Sequence, residues 1–188
     1  MGIFPCRWVP ISVFYTMKKI QLGGHKKNSL VQGYAIVDDD DFEELNKYKW
    51  CLANGYAVRG IFLGIDAKLV GRKKYKYKLI FIHRVIMETP SGMETDHING
   101  NKIDNRKYNL RICTKSQNKM NVLPSKRNTS GFKGCYFEKD RKLWRAYIVI
   151  NKTYKTLGRF EDKKGAAIAY NNAAKKYFGE FAKLNIVL

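Results

Sequence analysis

Asp96 and His97 set a carboxylate beside an imidazole within the stretch Glu94-Thr95-Asp96-His97-Ile98-Asn99-Gly100-Asn101. Asn109 follows the histidine by twelve residues, in Asn109-Leu110-Arg111, and Asn118 lies nine further on. Such a set can hold one hard cation against a phosphodiester and take a proton from a water beside it. Carboxylate and amide oxygens are ligands suited to Mg2+ or Mn2+. An ordinary imidazole, with a pKa of about 6.5, suits general-base work near neutrality. Singly, each signal is weak: a lone histidine is more often structural, and an asparagine in a Gly- and Asp-rich loop more often forms a turn. The order of the residues carries the reading.

The charge of the chain names the partner for such chemistry. Lys and Arg number 36 against 16 Asp and Glu, a net +20, which points to a polyanion: nucleic acid before an anionic membrane surface. The excess is greatest in residues 125–188, with 15 basic and 5 acidic side chains, so the last third should supply much of the phosphate attraction. Hydrophobic content of 45% and aromatic content of 13% argue for a folded chain. No run of eighteen apolar residues exists, which predicts no membrane span. Residues 1–16 are apolar but interrupted by Pro5, Arg7 and Pro10, with no small-residue cleavage site after them. They read as a dispensable extension, not a secretory signal, with the folded protein starting at Met17-Lys18-Lys19-Ile20. The expected location is intracellular, in host cytoplasm or a nucleus. Cys6, Cys51, Cys113 and Cys135 are scattered singly and complete no zinc-finger spacing with His25, His83 and His97. Neither zinc nor a disulfide framework is expected, and no obligatory protein partner is evident.

The elements that must position these groups predict an α+β chain. Residues 17–82 read as β-rich. Tyr34–Val37 forms a strand, Asp39 or Asp40 caps a short helix through Phe42–Leu45, and Asn54-Gly55 turns a hairpin between Trp50–Ala53 and Tyr56–Arg59. Lys73 to Ile82 alternates basic with aromatic or aliphatic residues, a strand with one wet, basic face. In residues 83–123, a helix beginning around Ile82 ends before Thr89-Pro90-Ser91-Gly92. A strand over Glu94–His97, a polar loop, a strand over Leu110–Cys113 and a helix capped by Thr114 then make a ββα unit. Alternation along the first strand turns His97 to the face opposite Asp96. Residues 124–130 read as a linker. Over residues 131–186, three strand signals precede a helix with the apolar stripe Ala166, Ala169, Tyr170, Ala173, Ala174, Tyr177 and Phe178, capped by Gly179. That is a three-stranded antiparallel sheet packed on one helix.

His83-Arg84, Asp96-His97-Ile98-Asn99-Gly100, Asp104-Asn105-Arg106, Asn109-Leu110-Arg111, Thr114 and Gln117-Asn118 together resemble the HNH endonuclease family, above all its phage and intron-homing members. The resemblance covers roughly residues 80–122. It implies a ββα-metal core with His97 as general base and Asn109 as the central asparagine, able to orient the His97 ring or to clamp the loop. It further implies Asp96 and Asn118 on a single Mg2+ or Mn2+. Many members carry histidine where Asn118 stands, so an oxygen-only and weaker site is implied. His83 and Arg84 are possible accessory residues.

Gly131-Phe132-Lys133-Gly134, Trp144-Arg145-Ala146, Leu157-Gly158-Arg159-Phe160, Ala166-Ala167, Ala169-Tyr170, Ala173-Ala174, Gly179, Ala182 and Leu184-Asn185 resemble the plant ethylene-response-factor (Apetala-two type) DNA-binding domain. In that family the sheet enters the major groove. The resemblance implies a DNA face of Lys133, Tyr136, Arg145, Tyr147, Tyr154, Thr156 and Arg159, with Trp144 in the core. Tyr136 and Thr156 stand where the plant domains differ, so their target sequence is not carried over.

These expectations converge on a metal-dependent, site-directed DNA endonuclease of a phage or mobile element. A non-catalytic DNA-binding regulator is the first rival, and an RNA-binding protein, favoured by charge and aromatics alone, the second. On this reading, removal of residues 125–188 leaves a weak nuclease with little site choice.

Overall fold

Ile20 and Leu22 on one strand, and Ala35 and Val37 on the next, alternate with more exposed neighbours, so each strand buries one face. These residues lie in the first of two units into which the chain divides: the described residues up to Ile82, together with Lys102–Lys107. The computed structural model describes residues 16–23, 30–65, 68, 70–125 and 127–188. The extension expected over residues 1–16 lies, up to residue 15, outside the described residues. Five strands, β1 (Met17–Gly23), β2 (Gly33–Asp38), β3 (Trp50–Ala53), β4 (Tyr56–Ile65) and β5 (Tyr75–Phe81), form one sheet in the order β2-β1-β3-β4-β5. All neighbours are antiparallel except β1 and β3. The Asn54-Gly55 hairpin forms as expected, with φ of 51° and 82°, the left-handed pair that a two-residue turn requires.

Helix α1 (Asp39–Asn46) differs at its start. The residue at the cap position is Asp38, and its carboxylate makes no cap bond because Oδ2 accepts the Lys107 N–H at 2.7 Å. Asp39, Asp40 and Asp41 instead fill the first turn, where negative charge meets the positive end of the helix. The strand expected from Lys73 is shortened, because Gly71–Lys74 forms a 3-10 turn before β5. Its aromatic side is not covered: Tyr75, Tyr77 and Leu79 are exposed along with the lysines between them.

The second unit holds His83–Asn101 and Tyr108–Leu188. Helix α2 (Ile82–Ile86) leads to β6 (Glu94–His97), which pairs antiparallel with β7 (Leu110–Cys113) in a register that sets Asp96 opposite Arg111 and His97 opposite Leu110. Helix α3 (Lys115–Met120) follows and completes the ββα unit. Thr114 caps it in a full capping box: Thr114 Oγ1 accepts from Gln117 N at 3.2 Å, and Gln117 Oε1 accepts from Thr114 N at 2.8 Å.

In the same unit β8 (Cys135–Glu138), β9 (Leu143–Ile150) and β10 (Thr153–Phe160) form a three-stranded antiparallel sheet with β9 in the middle, and α4 (Lys163–Phe178) packs on one face. The core is Cys135, Ala146 and Ile148 against Ala166, Ala167, Tyr170 and Ala174. Small alanines bring the helix close to the sheet. At Gly134 (φ +72°) a Cβ would stand 2.0 Å from Tyr170 Cδ2, so only glycine fits under that ring. Asp162 caps α4 through Gly165 N at 2.8 Å, and Gly179 ends it with φ 53°. Tyr177, expected in the apolar stripe, is exposed, with its hydroxyl on Lys155 Nζ at 2.9 Å.

The ββα segment and the C-terminal sheet fall in the same compact unit. Lys133 Nζ donates to the carbonyls of Met120 and Val122 at 2.6 and 2.7 Å, and Lys183 N donates to Met120 O at 3.3 Å. These bonds satisfy carbonyls at the open end of α3. Among the described residues, no helix is long and apolar enough to cross a membrane.

Candidate active site

Strand alternation gives β6 two working faces. Glu94 and Asp96 look towards α3; Thr95 and His97 look towards the segment of α2 and the turn after it. On the first face, Asn118 Nδ2 donates to Glu94 Oε2 at 2.7 Å, and Asn121 Nδ2 donates to both Asp96 oxygens at 3.0 Å and to His97 O at 3.0 Å. On the second, Thr95 and Thr89 share a hydroxyl–hydroxyl bond, and the His97 and His83 rings meet edge to face with centroids 4.9 Å apart.

Asp96 is 6% exposed, and a buried carboxylate is costly unless it is paired. Arg111 supplies the pairing: Nε and Nη2 both donate to Asp96 Oδ2, at 2.9 and 2.7 Å. The third guanidinium nitrogen, Nη1, donates to Glu180 O at 2.7 Å, and the group lies over the Phe181 ring at 4.1 Å from its centroid. The carboxylate is thus held by its opposite neighbour in the β-ladder, which is held in turn by the turn after α4.

His97 is 5% exposed at the end of β6. The chain then turns, with Gly100 N donating to His97 O at 2.9 Å. Asn109 acts as a clamp on this loop: its Oδ1 accepts Asn99 N at 3.0 Å, and its main-chain carbonyl accepts Ile98 N at 2.8 Å. His83 is buried beside His97. Burial, then the neighbouring His97 and Arg84, push the His83 imidazole down to about 3, so it is neutral at working pH. Arg84 donates from Nη1 to Met93 O at 2.9 Å and fastens the turn between α2 and β6.

The oxygens of this site suit one hard cation. Asp96 and Glu94 offer carboxylate oxygens on one face, and a half-turn of either asparagine amide would present its oxygen in place of its NH2. Among the described residues, no cluster of three or more His, Cys, Asp or Glu is placed to hold a metal. The side chains on this face offer oxygen donors, the kind a hard divalent cation takes. The expected Asp96 and Asn118 lie on the same face, but the amide on Asp96 is that of Asn121.

Asn121, Glu94, Arg111 and Phe181 had no assigned part in the sequence reading. Spacing held a signal for two of them. Asn118 and Asn121 are three apart on a helix, about 4.5 Å along its axis, and Glu94 and Asp96 are two apart on a strand, about 6.6 Å, so two amides can meet two carboxylates.

The model for the HNH endonuclease family matches residues 81–120, the segment just described. An uncharacterized HNH endonuclease of Acanthamoeba polyphaga mimivirus is 31% identical over 153 residues, 81% of this chain and 74% of that protein. The chain belongs to the HNH endonuclease family. Protein 3.8 of Escherichia phage T7 is 37% identical to it over 84 residues, 41% of this chain and 69% of that protein. No solved structure matches.

Outside the HNH segment, the open face of the C-terminal sheet carries Tyr136, Arg145, Tyr147, Tyr154, Thr156 and Arg159. The Tyr147 and Tyr154 rings stack at 4.8 Å, and Tyr136 meets Tyr147 at 5.8 Å. A bulge between Thr156 and Gly158 shifts the register, so that Arg159 comes opposite Arg145 on the same face as Thr156. Glu138 takes both arginines, from Arg145 Nη1 at 2.6 Å and Arg159 Nε at 2.7 Å, while Arg145 Nη2 donates to Thr156 Oγ1 at 2.8 Å. Lys133 is elsewhere: its ammonium is committed to the end of α3. Burial, then Lys183, lower its pKa to about 8.

Proposed function

We propose that this HNH protein is a metal-dependent, site-directed DNA endonuclease of the homing type, hydrolysing phosphodiesters of double-stranded DNA. One observation carries the reading: a buried carboxylate, Asp96, and an imidazole, His97, sit next to each other on opposite faces of a strand end inside the family segment. One divalent ion, Mg2+ or Mn2+, would be held by Asp96 and Asn118, with Glu94 and Asn121 completing the oxygen-rich face. When bound, such an ion offsets charge on the phosphoryl group and the departing 3′ oxygen. His97 takes the proton of the attacking water. The neutral His83 beside it adds no competing positive charge. Asn109 holds the loop that follows His97, and Arg111 fixes the direction of the Asp96 carboxylate.

The C-terminal sheet supplies the targeting. Its similarity to the Apetala-two type domain and its row of Arg, Tyr and Thr side chains support docking of that face on DNA. Arg145 and Tyr147, on the middle strand, read base edges, with Tyr136, Tyr154, Thr156 and Arg159 around them.

The regulator reading keeps one specific support, because the Arg111 guanidinium already neutralises Asp96, as it would in a site that takes no cation. Supercoiled plasmid incubated with the purified protein in Mg2+, in Mn2+ and in EDTA separates the two. The nuclease reading expects nicked or linear product with either ion and none in EDTA; intact plasmid in all three leaves the regulator.

A further inference from the structure

A cavity of about 590 Å3 opens between α3 and the C-terminal sheet, with neither Asp96 nor His97 among its walls. Its size falls within the range of about 300–1,000 Å3 typical of small-ligand sites. Lys115 and Lys119, one turn apart on α3, and Lys152, in the β9–β10 turn, stand around it, and no acidic side chain is among its walls. None of these three lysines makes an ion pair with a described residue. Ile148, Tyr170 and Phe178 give it an apolar, aromatic lining. The Tyr170 side chain is 3% exposed, and its buried hydroxyl has no hydrogen-bond partner among the described residues. Leaving such a donor unsatisfied is unfavourable, so an acceptor arriving from a ligand would be favoured there.

We propose that this cavity is a nucleotide-binding site, taking an aromatic base against Ile148 and Phe178, the base's acceptor on the Tyr170 hydroxyl and its phosphate on Lys115, Lys119 and Lys152. Cations without counter-charges select an anion, and the apolar lining selects one that carries a flat ring. Two sources share that chemistry, a free nucleotide and one nucleotide unstacked from a DNA strand. The site is separate from the cleavage centre and does not depend on the nuclease reading.

Calorimetric titration of the full chain in EDTA, with cleavage not read, tests the inference with dAMP, inorganic phosphate and decanoate as probes. dAMP should bind at least tenfold more tightly than phosphate or decanoate. Lys119→Glu with Lys152→Glu, both exposed positions, should weaken dAMP at least tenfold at an unchanged unfolding midpoint. Tyr170→Phe, which keeps the ring under Gly134, should weaken it severalfold. Displacement of dAMP by a duplex with one unpaired base, and not by a fully paired duplex, assigns the site to a DNA strand; dAMP binding that neither duplex displaces assigns it to free nucleotide. Equal affinity for phosphate and dAMP, tighter binding of decanoate, or a rim variant that binds dAMP as the wild type does would overturn the proposal.

Discussion

The Arg111 guanidinium lies over the ring of Phe181, 4.1 Å from its centre, while two of its nitrogens hold the Asp96 carboxylate. Phe181 belongs to the turn after α4, so a residue of the C-terminal module steadies a residue of the HNH segment. A cation–π contact of this kind contributes about 0.5–2 kcal/mol, enough to set the direction of one side chain.

Phe181→Ala should therefore lower the cleavage rate about tenfold, roughly 1.4 kcal/mol of transition-state stabilisation, while leaving DNA affinity within twofold. The half-saturating Mg2+ concentration should shift with it. Because Phe181 acts through Arg111, the double variant Phe181→Ala/Arg111→Ala should be no slower than Arg111→Ala alone. Additive losses in that cycle would show that Phe181 acts by another route.

Glu138 balances Arg145 and Arg159 on the open sheet face. Replacing it by Gln removes a charge that repels phosphate and releases two guanidinium groups from fixed directions. Affinity for random-sequence DNA should rise, the salt slope should steepen by about one unit, and the preference for the best site should fall. Filter binding at several salt concentrations reads all three, and an unchanged slope would take this face off the DNA.

His83 makes stability depend on acid. Its ordinary value is 6.5 and burial pushes it to about 3 in the folded chain. Between those values the unfolded state binds a proton that the folded state refuses, so this contribution lowers stability as pH falls from about 6.5 towards 3 and is absent above. His83→Phe should flatten that part of the profile, measured as urea midpoints at a series of pH values. A variant profile parallel to the wild type would assign the acid sensitivity to other groups.

Much of the fold was legible because local chemistry and tertiary packing agree. Asn54-Gly55 specified its hairpin, Thr114 its helix cap, and the alanine stripe of α4 its close approach to the sheet. The polar contacts of the site were less so. Asp96 and Arg111 are fifteen residues apart and meet only through the β6–β7 register, and Phe181 reaches Arg111 from far along the chain. The resemblance set Lys133 among the DNA contacts by its position, and position does not say where a long side chain ends; here it ends on carbonyls of α3 and its flank. On this account, removal of residues 125–188 takes away the holds on Arg111 and on the end of α3, so the weak residual nuclease expected from sequence is not expected from the structure.

His97→Ala tests directly whether His97 takes the proton in metal-dependent cleavage. With plasmid substrate in Mg2+ at neutral pH, its rate should fall at least about a hundredfold below wild type, the scale of a lost general base. DNA affinity should stay within a few-fold and the unfolding midpoint should change little. Cleavage by His97→Ala at the wild-type rate would contradict that role.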